Sequence, residues 1–246
     1  MKNNKMVIQL KDKGIKNPLL LNAFQDLPSS LFLSKEFQPY WFDQKNTSAE
    51  LDAIETRAVV IAKMLEQLKI REGKKILVVG VDSVYILAAL SRIYKQVYLV
   101  DAHKIYSEWA IKVLKNTGIN NVFARLDGET PGWIEKAPFD IILIASEFEE
   151  VPQGLKEQLK IGGKLMIPVG PDWAHSVFEL IRRVSENHYE VEKLRDNFLI
   201  PDPKILPEIG STNFPVKDIV KEIKAKAIAF TNIKEFPIDS LIERIG

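Results

Sequence analysis

Short apolar runs alternate with segments of helical periodicity along the middle of the chain. The runs predict five strands, at Ile76–Val79, Val97–Val100, Asn121–Arg125, Phe139–Ala145 and Lys164–Val169. The fourth, FDIILIA, is almost continuously apolar, which is typical of a strand covered on both faces. The intervening helices include Lys104–Lys115 and Val151–Leu159, the latter followed by a turn at Ile161-Gly162-Gly163. Strands that alternate with helices predict a parallel sheet in an α/β fold.

The two ends of the chain follow other patterns. Apolar stripes predict N-terminal helices at Met6–Ile15, Pro18–Phe24 and Leu51–Leu68. Ser176–Val184 and Tyr189–Ile200 have no helix-length segment between them, so we expect an antiparallel strand pair at the sheet edge. Helical spacing after Pro215 predicts a C-terminal helical tail. We divide the chain into an N-terminal helical cap of the same domain, a core and a helical extension, at residues 1–70, 71–201 and 202–246.

Composition narrows the classes of function. The 246 residues carry a net charge of +1, so electrostatics favour neither a nucleic acid nor a membrane surface as partner. Cysteine is absent, which excludes disulfides and thiolate chemistry, and the three histidines lie too far apart for metal ligands. We therefore expect no metal. The first residues lack the apolar run of a signal peptide and no run spans a membrane, so a cytoplasmic location is expected.

The first two strands and the loop between them carry the candidate chemistry. The first strand, KILVV, leads into Gly80, and the second ends at Asp101. In nucleotide-binding βαβ units the ligand lies on the turn after the first strand. An acid that ends the second strand accepts hydrogen bonds from the ribose hydroxyls. Glycine at position 80 would let the backbone approach a ligand closely. The alternative for Asp101 is an acid exposed at a strand end.

Five parallel strands followed by an antiparallel pair resemble the Rossmann-like seven-stranded sheet of S-adenosylmethionine-dependent methyltransferases. Within that class, Gly118–Gly170 closely resembles the protein-L-isoaspartate O-methyltransferases, because NV, DG, APFD, VP and QLK-GG-L-PVG follow one another in the family's order. The segment NFLIP at 197–201 is similar to that family's closing strand, and the N-terminal helices also match. The resemblance covers roughly residues 5–201 and leaves the tail outside.

The resemblance implies a cofactor site and a substrate site. S-adenosylmethionine would contact Gly80, Asp82, Ser83, Tyr85, Asp101, Asp127 and Gly128. Asp127 would bind the adenine amino group, although an Asp-Gly pair equally suits a plain turn. Thr56 stands at the family's substrate-side serine, where its hydroxyl would orient the isoaspartyl carboxylate. An exposed helix face is the alternative for Thr56.

The loop after the first strand departs from the family pattern. Val78 replaces an acid, while Asp82 and Val84 replace glycines. A β-branched side chain disfavours positive φ and would crowd the cofactor. Asp82 would either repel the cofactor's carboxylate or hold its amino group.

These changes keep several functions open. The first is an isoaspartyl methyltransferase that repairs damaged proteins or peptides. The second is a non-catalytic homologue that serves as a binding or assembly subunit, and the third a methyltransferase acting on RNA or a small acceptor. The missing basic stripe counts against RNA. For the tail we expect a capping role or a contact in a homo-oligomer.

Overall fold

The computed structural model describes residues 5–27, 29, 58–80, 83–101, 104–125, 132–146, 148–170 and 176–194. Within these ranges three helices precede the sheet: α1 (Lys5–Asp12), α2 (Pro18–Phe24) and α3, described over residues 58–67. The helices that follow are α4 (Val84–Ser91), α5 (Lys104–Asn116) and α6 (Gln153–Glu157), with a 3-10 turn at Ile134–Lys136.

The strands form one seven-stranded sheet in the order β3-β2-β1-β4-β5-β6-β7. Their bounds are β1 (Gly73–Val79), β2 (Tyr94–Val100), β3 (Val122–Arg125), β4 (Phe139–Ile144), β5 (Leu159–Val169), β6 (Val177–Ser185) and β7 (His188–Leu194). The first five strands are parallel, whereas β6 is antiparallel to both β5 and β7. This confirms the α/β class, the five parallel strands and the antiparallel edge pair.

The region between β4 and β5 differs from the prediction. The helix is shorter, Gln153–Glu157, and β5 begins at Leu159, so Ile161-Gly162-Gly163 lies within the strand. The register moves from Phe139 opposite Leu159 to Ile141 opposite Lys164, which inserts three extra residues into β5 as a bulge. Glycines permit the bulge, since Gly162 has φ +83 and a Cβ on Gly163 would lie 2.7 Å from the Lys160 carbonyl oxygen.

Polar contacts fasten the N-terminal helices to one another. The Asn17 side chain caps α2 by accepting a hydrogen bond from Leu19 N (2.9 Å), and Pro18 occupies the first helical position. The same Asn17 amide donates to the Ile70 carbonyl oxygen at 3.0 Å. The Glu66 carboxylate on α3 accepts hydrogen bonds from Lys16 N and Asn17 N. The predicted helix at Pro18–Phe24 is therefore confirmed and held by its capping residue.

Two apolar clusters cover the two faces of the sheet. One face packs against buried side chains of α1 to α5, including Leu10, Phe24, Leu65 and Leu87. The other face holds a smaller cluster around Tyr98, whose ring contacts Phe123, Trp133 and Phe139 at centroid distances of 5.3 to 5.7 Å. The central strands β1, β2 and β4 are therefore covered on both sides. Among the described helices, none is long and apolar enough to cross a bilayer.

Candidate functional site

The strand order of the sheet reverses between β1 and β4. From β1 the chain continues to β2 and β3 on one side, while β4 and β5 lie on the other. In open α/β sheets ligands bind in the crevice outside the carboxyl ends of the strands at such a point. Two backbone hydrogen bonds define its floor: Gly80 N donates to Val100 O at 3.0 Å, and Ala145 N donates to Val79 O at 2.9 Å. The carboxyl ends of β1, β2 and β4 thus meet at one place, which we call the carboxyl edge of the sheet.

Gly80 occupies the middle of this floor in a conformation that favours glycine. Its φ is +67, in the left-handed region that side chains disfavour. A Cβ added there would lie 2.8 Å from Ser146 Oγ and 2.9 Å from Ser146 Cβ. The structure therefore gives both conformational and steric reasons for the predicted glycine.

Ser83 begins the helix that follows. Its side chain caps α4 by accepting a hydrogen bond from Ile86 N at 3.4 Å, and the residue is 5% exposed. A capping hydroxyl uses its oxygen as acceptor, so its proton still has a donor role to fill. This geometry is compatible with the predicted hydrogen bond to the cofactor.

Asp101 lies directly after β2. It is 5% exposed, and the preceding Val100 carbonyl is the group that accepts the Gly80 N–H. The carboxylate therefore stands one strand away from Gly80 at the same edge, as the sequence predicted. Neighbouring strands are separated by about 4.8 Å, so both residues are within reach of one nucleoside-sized ligand.

Tyr85 has the contacts of a core residue. It is 1% exposed, its hydroxyl donates to the Leu27 carbonyl oxygen at 3.2 Å, and its ring meets Phe24 edge-on with centroids 5.3 Å apart. Because the hydroxyl donates internally, its proton is not available to a ligand. Its role in cofactor binding stays a prediction.

The two valines that replace family residues are buried as well. Val78 is 0% exposed and Val84 is 3% exposed, and both belong to the apolar cluster on the helical face. Val84 is the first residue of α4 and has no positive φ. The predicted crowding of a ligand therefore finds no support at these two positions.

Four predicted site residues, Thr56, Asp82, Asp127 and Gly128, lie outside the described residues. By sequence, Thr56 comes two positions before the described part of α3, and Asp127 two positions after β3. Arg125 at the end of β3 pairs with Val100, the residue before Asp101. Their roles rest on the resemblance alone.

One polar residue of this edge was missed by the sequence analysis. Ser146 follows β4 by two positions, is half-buried and lies against Gly80. The signal that would have found it is the rule used for Asp101: a polar residue just after a buried parallel strand lies at the ligand-binding edge.

These residues fit the cofactor that the resemblance implies. The Gly80 backbone, which we call the cradle, comes to this edge in a conformation and beside a neighbour that both disfavour a side chain. A hydroxyl donor stands at Ser83 and a carboxylate for hydroxyl groups at Asp101. Neutral hydroxyls and a carboxylate suit an adenosyl group with an amino acid end better than a phosphate chain.

The strand order and the groups at this edge are those of a Rossmann-like, S-adenosylmethionine-dependent methyltransferase. The family model for protein-L-isoaspartate(D-aspartate) O-methyltransferase (PCMT) matches residues 1–203. The chain therefore belongs to this family of enzymes.

Individual relatives agree with that assignment. The protein-L-isoaspartate O-methyltransferase of Parvibaculum lavamentivorans is 32% identical over 177 residues, which cover 72% of this chain and 80% of that protein. Its namesake from Dictyoglomus thermophilum is 32% identical over 197 residues, covering 80% of this chain and 84% of that protein. A Plasmodium falciparum structure of the same description, in complex with S-adenosyl-L-homocysteine, has a TM-score of 0.57 at 16% identity. That match covers 78% of this chain and 94% of the other, and it concerns the fold.

Proposed function

We propose that this chain transfers a methyl group from S-adenosylmethionine to the carboxylate of an L-isoaspartyl residue in a damaged protein or peptide. The observation that carries the proposal is the edge formed by Gly80 and Asp101. Gly80 brings its backbone to this edge in a conformation that favours glycine, and Asp101 supplies a carboxylate at the end of the neighbouring strand. Family membership narrows the acceptor to the isoaspartyl class.

The roles follow the chemistry of each group. The Gly80 backbone lets the cofactor approach closely. The Asp101 carboxylate accepts hydrogen bonds from the ribose hydroxyls, and the Ser83 hydroxyl donates a further one. Asp127 and Gly128 would bind the adenine. Asp82 would hold the cofactor's amino group, Tyr85 would contribute a hydrogen bond, and Thr56 would orient the acceptor. These last roles come from the resemblance.

The reaction needs little acid–base chemistry. When bound, S-adenosylmethionine supplies an electrophilic methyl group on a sulfonium. The acceptor is already a carboxylate, so the protein has to align the reactants and exclude water rather than move a proton. A site built from backbone and hydroxyl groups suits that task.

The test is calorimetric binding of S-adenosylhomocysteine together with methyl transfer to a peptide that contains isoaspartate. The same peptide with normal aspartate is the matched control and should not be methylated. Asp101→Asn should weaken S-adenosylhomocysteine binding by roughly ten- to a hundredfold, since charge-assisted hydrogen bonds to the ribose are lost. Absence of measurable binding to the wild-type chain would overturn the proposal.

The other two functions become outcomes of the same experiment. Binding without transfer to any acceptor would favour the non-catalytic homologue, and label found in bulk RNA but not in peptide would favour an RNA methyltransferase. The relatives that match are named as protein methyltransferases, and we find no observation that favours either alternative. The cytoplasmic location, the division into three segments and an oligomer contact through residues 202–246 stay predictions.

A further inference from the structure

Ser146 stands where the chain leaves β4 beside the end of β1. The hydrogen bond from Ala145 N to Val79 O fixes the residue before it against β1. Its hydroxyl lies against the α-carbon of Gly80, since a Cβ built on that glycine would be 2.8 Å from Ser146 Oγ. Ser146 is therefore the polar side chain that flanks the cradle on the β4 side.

Within the described residues, the Ser146 hydroxyl has no structural role in hydrogen bonding. Ser146 Oγ makes no hydrogen bond with any other residue in the described part of the chain, and the side chain is half-buried. Other hydroxyls do have internal partners: Ser91 Oγ donates to Ala88 O at 2.7 Å, and Thr117 Oγ1 donates to Leu114 O at 2.8 Å. Ser107 Oγ also lacks a partner among the described residues but is fully buried. Ser146 thus combines an unused donor with access from the edge.

The position of Ser146 relative to Asp101 indicates which reactant it meets. Asp101 ends β2, Gly80 follows β1 and Ser146 follows β4, which are three neighbouring strands. At a spacing of about 4.8 Å, the ends of β2 and β4 are about 10 Å apart. S-adenosylmethionine bound by Asp101 and the Gly80 backbone would lie at the ends of β2 and β1, so the methyl acceptor would approach from the β4 side. Reacting atoms must come within about 3.5 Å of one another, which places the acceptor's carboxylate next to Ser146.

We propose that the Ser146 hydroxyl donates a hydrogen bond to the carboxylate that receives the methyl group. One carboxylate oxygen would accept this bond and the other would remain for attack. Ser146 keeps its proton throughout, because the acceptor reacts as an anion and the transferred group is a methyl. The inference deepens the proposed function and rests on it, and it adds a second orienting hydroxyl to the one predicted at Thr56.

The test compares Ser146→Ala with Ser91→Ala, a control that removes a hydroxyl whose partner lies inside the protein. For Ser146→Ala, the affinity for S-adenosylhomocysteine and the melting temperature should match the wild type. With S-adenosylhomocysteine bound, the affinity of the variant for an isoaspartyl peptide, measured by calorimetry, should fall about tenfold. The value of kcat/KM should fall by a similar factor. Ser91→Ala should lower the melting temperature and leave both affinities unchanged.

Several outcomes separate this inference from the proposed function. An active wild type with unaltered peptide affinity in Ser146→Ala overturns the role of Ser146 alone. Weakened S-adenosylhomocysteine binding with unchanged peptide affinity also overturns it, because the hydroxyl would then serve the cofactor. A wild-type chain that neither binds S-adenosylhomocysteine nor methylates the isoaspartyl peptide overturns the proposed function and the inference with it.

Discussion

The two edges of the parallel sheet treat their polar groups in opposite ways. At the amino edge, the Asp140 carboxylate accepts hydrogen bonds from Lys74 N and Lys75 N, both at 2.9 Å, and from Lys160 Nζ at 3.2 Å. At the carboxyl edge, Gly80 presents its backbone without a side chain, and the hydroxyls of Ser83 and Ser146 retain protons to donate. The bonds to Asp140 stabilise the fold, whereas the two hydroxyls at the carboxyl edge keep a donor for a ligand.

The pKa of Asp140 shows how strongly its partners hold its charge at the amino edge. Burial alone would raise the pKa of Asp140, but the hydrogen bonds from Lys75, Lys160 and Lys74 more than offset it, so that its pKa is lowered. Neighbouring Tyr94 is 2% exposed, and its pKa is raised by burial and by the charge of Asp140. The carboxylate is therefore held in its charged form by the fold itself, with no ligand required.

The largest effect is expected from breaking the carboxyl edge with Gly80→Ala. The new Cβ would adopt a positive φ and meet Ser146, at a combined cost of about 2–3 kcal/mol in the free energy of unfolding. The new methyl group and the displaced Ser146 would also change the cradle, so S-adenosylhomocysteine affinity should fall by more than tenfold. Calorimetry and urea unfolding measure the two quantities.

Gly118→Ala is the matched control for this change. Gly118 has φ +82, but a Cβ there would meet nothing within 4 Å. We expect only the conformational cost, about 1 kcal/mol, with cofactor affinity unchanged. Equal cofactor affinity in Gly80→Ala and Gly118→Ala would contradict the proposed cradle.

An intermediate effect is expected at the amino edge from Asp140→Asn. Loss of charge-assisted hydrogen bonds should lower the free energy of unfolding by about 2 kcal/mol at pH 7. Because the folded pKa is lowered, this stabilisation is present above the unfolded pKa near 4 and is lost as the pH falls through the folded pKa. Urea unfolding at pH 7 and below pH 4 should show the variant and wild type converging in acid.

The contrast with Asp101→Asn sharpens the comparison of the two edges. Asp140→Asn should lose stability and keep its affinity for S-adenosylhomocysteine, whereas Asp101→Asn should lose affinity. A loss of cofactor affinity in Asp140→Asn as large as that in Asp101→Asn would refute the division between the edges.

The smallest effect is expected from Tyr94→Phe. The Tyr94 hydroxyl is buried without a hydrogen-bond partner in the described part of the chain. Removing it should change the free energy of unfolding by less than about 1 kcal/mol, in the stabilising direction. Tyr85→Phe is the counterpart, because it removes the bond to Leu27 O and should destabilise by about 1 kcal/mol. Thermal unfolding of both variants would detect a reversal of these signs.

Much of the fold was predictable because local patterns reported it directly. The apolar run Ile141–Ile144 is buried on both faces, and Pro18 after the capping Asn17 marks a helix start. The start of β5 was not predictable, because two glycines that usually end a segment form a bulge whose register depends on β4. Pairing partners distant in sequence decide such a boundary.

In the candidate site, too, some features follow from local sequence and others from contacts between distant segments. The amino-acid sequence by itself determined the parallel sheet, Gly80 and Asp101, because strand periodicity and the residues at strand ends are local properties. Only the tertiary structure decided that Tyr85 bonds to Leu27, that Val78 and Val84 face the core, and that Ser146 lies against Gly80. Each of these depends on the packing of segments far apart along the chain, and that packing is set by distances and directions that no single stretch of sequence contains.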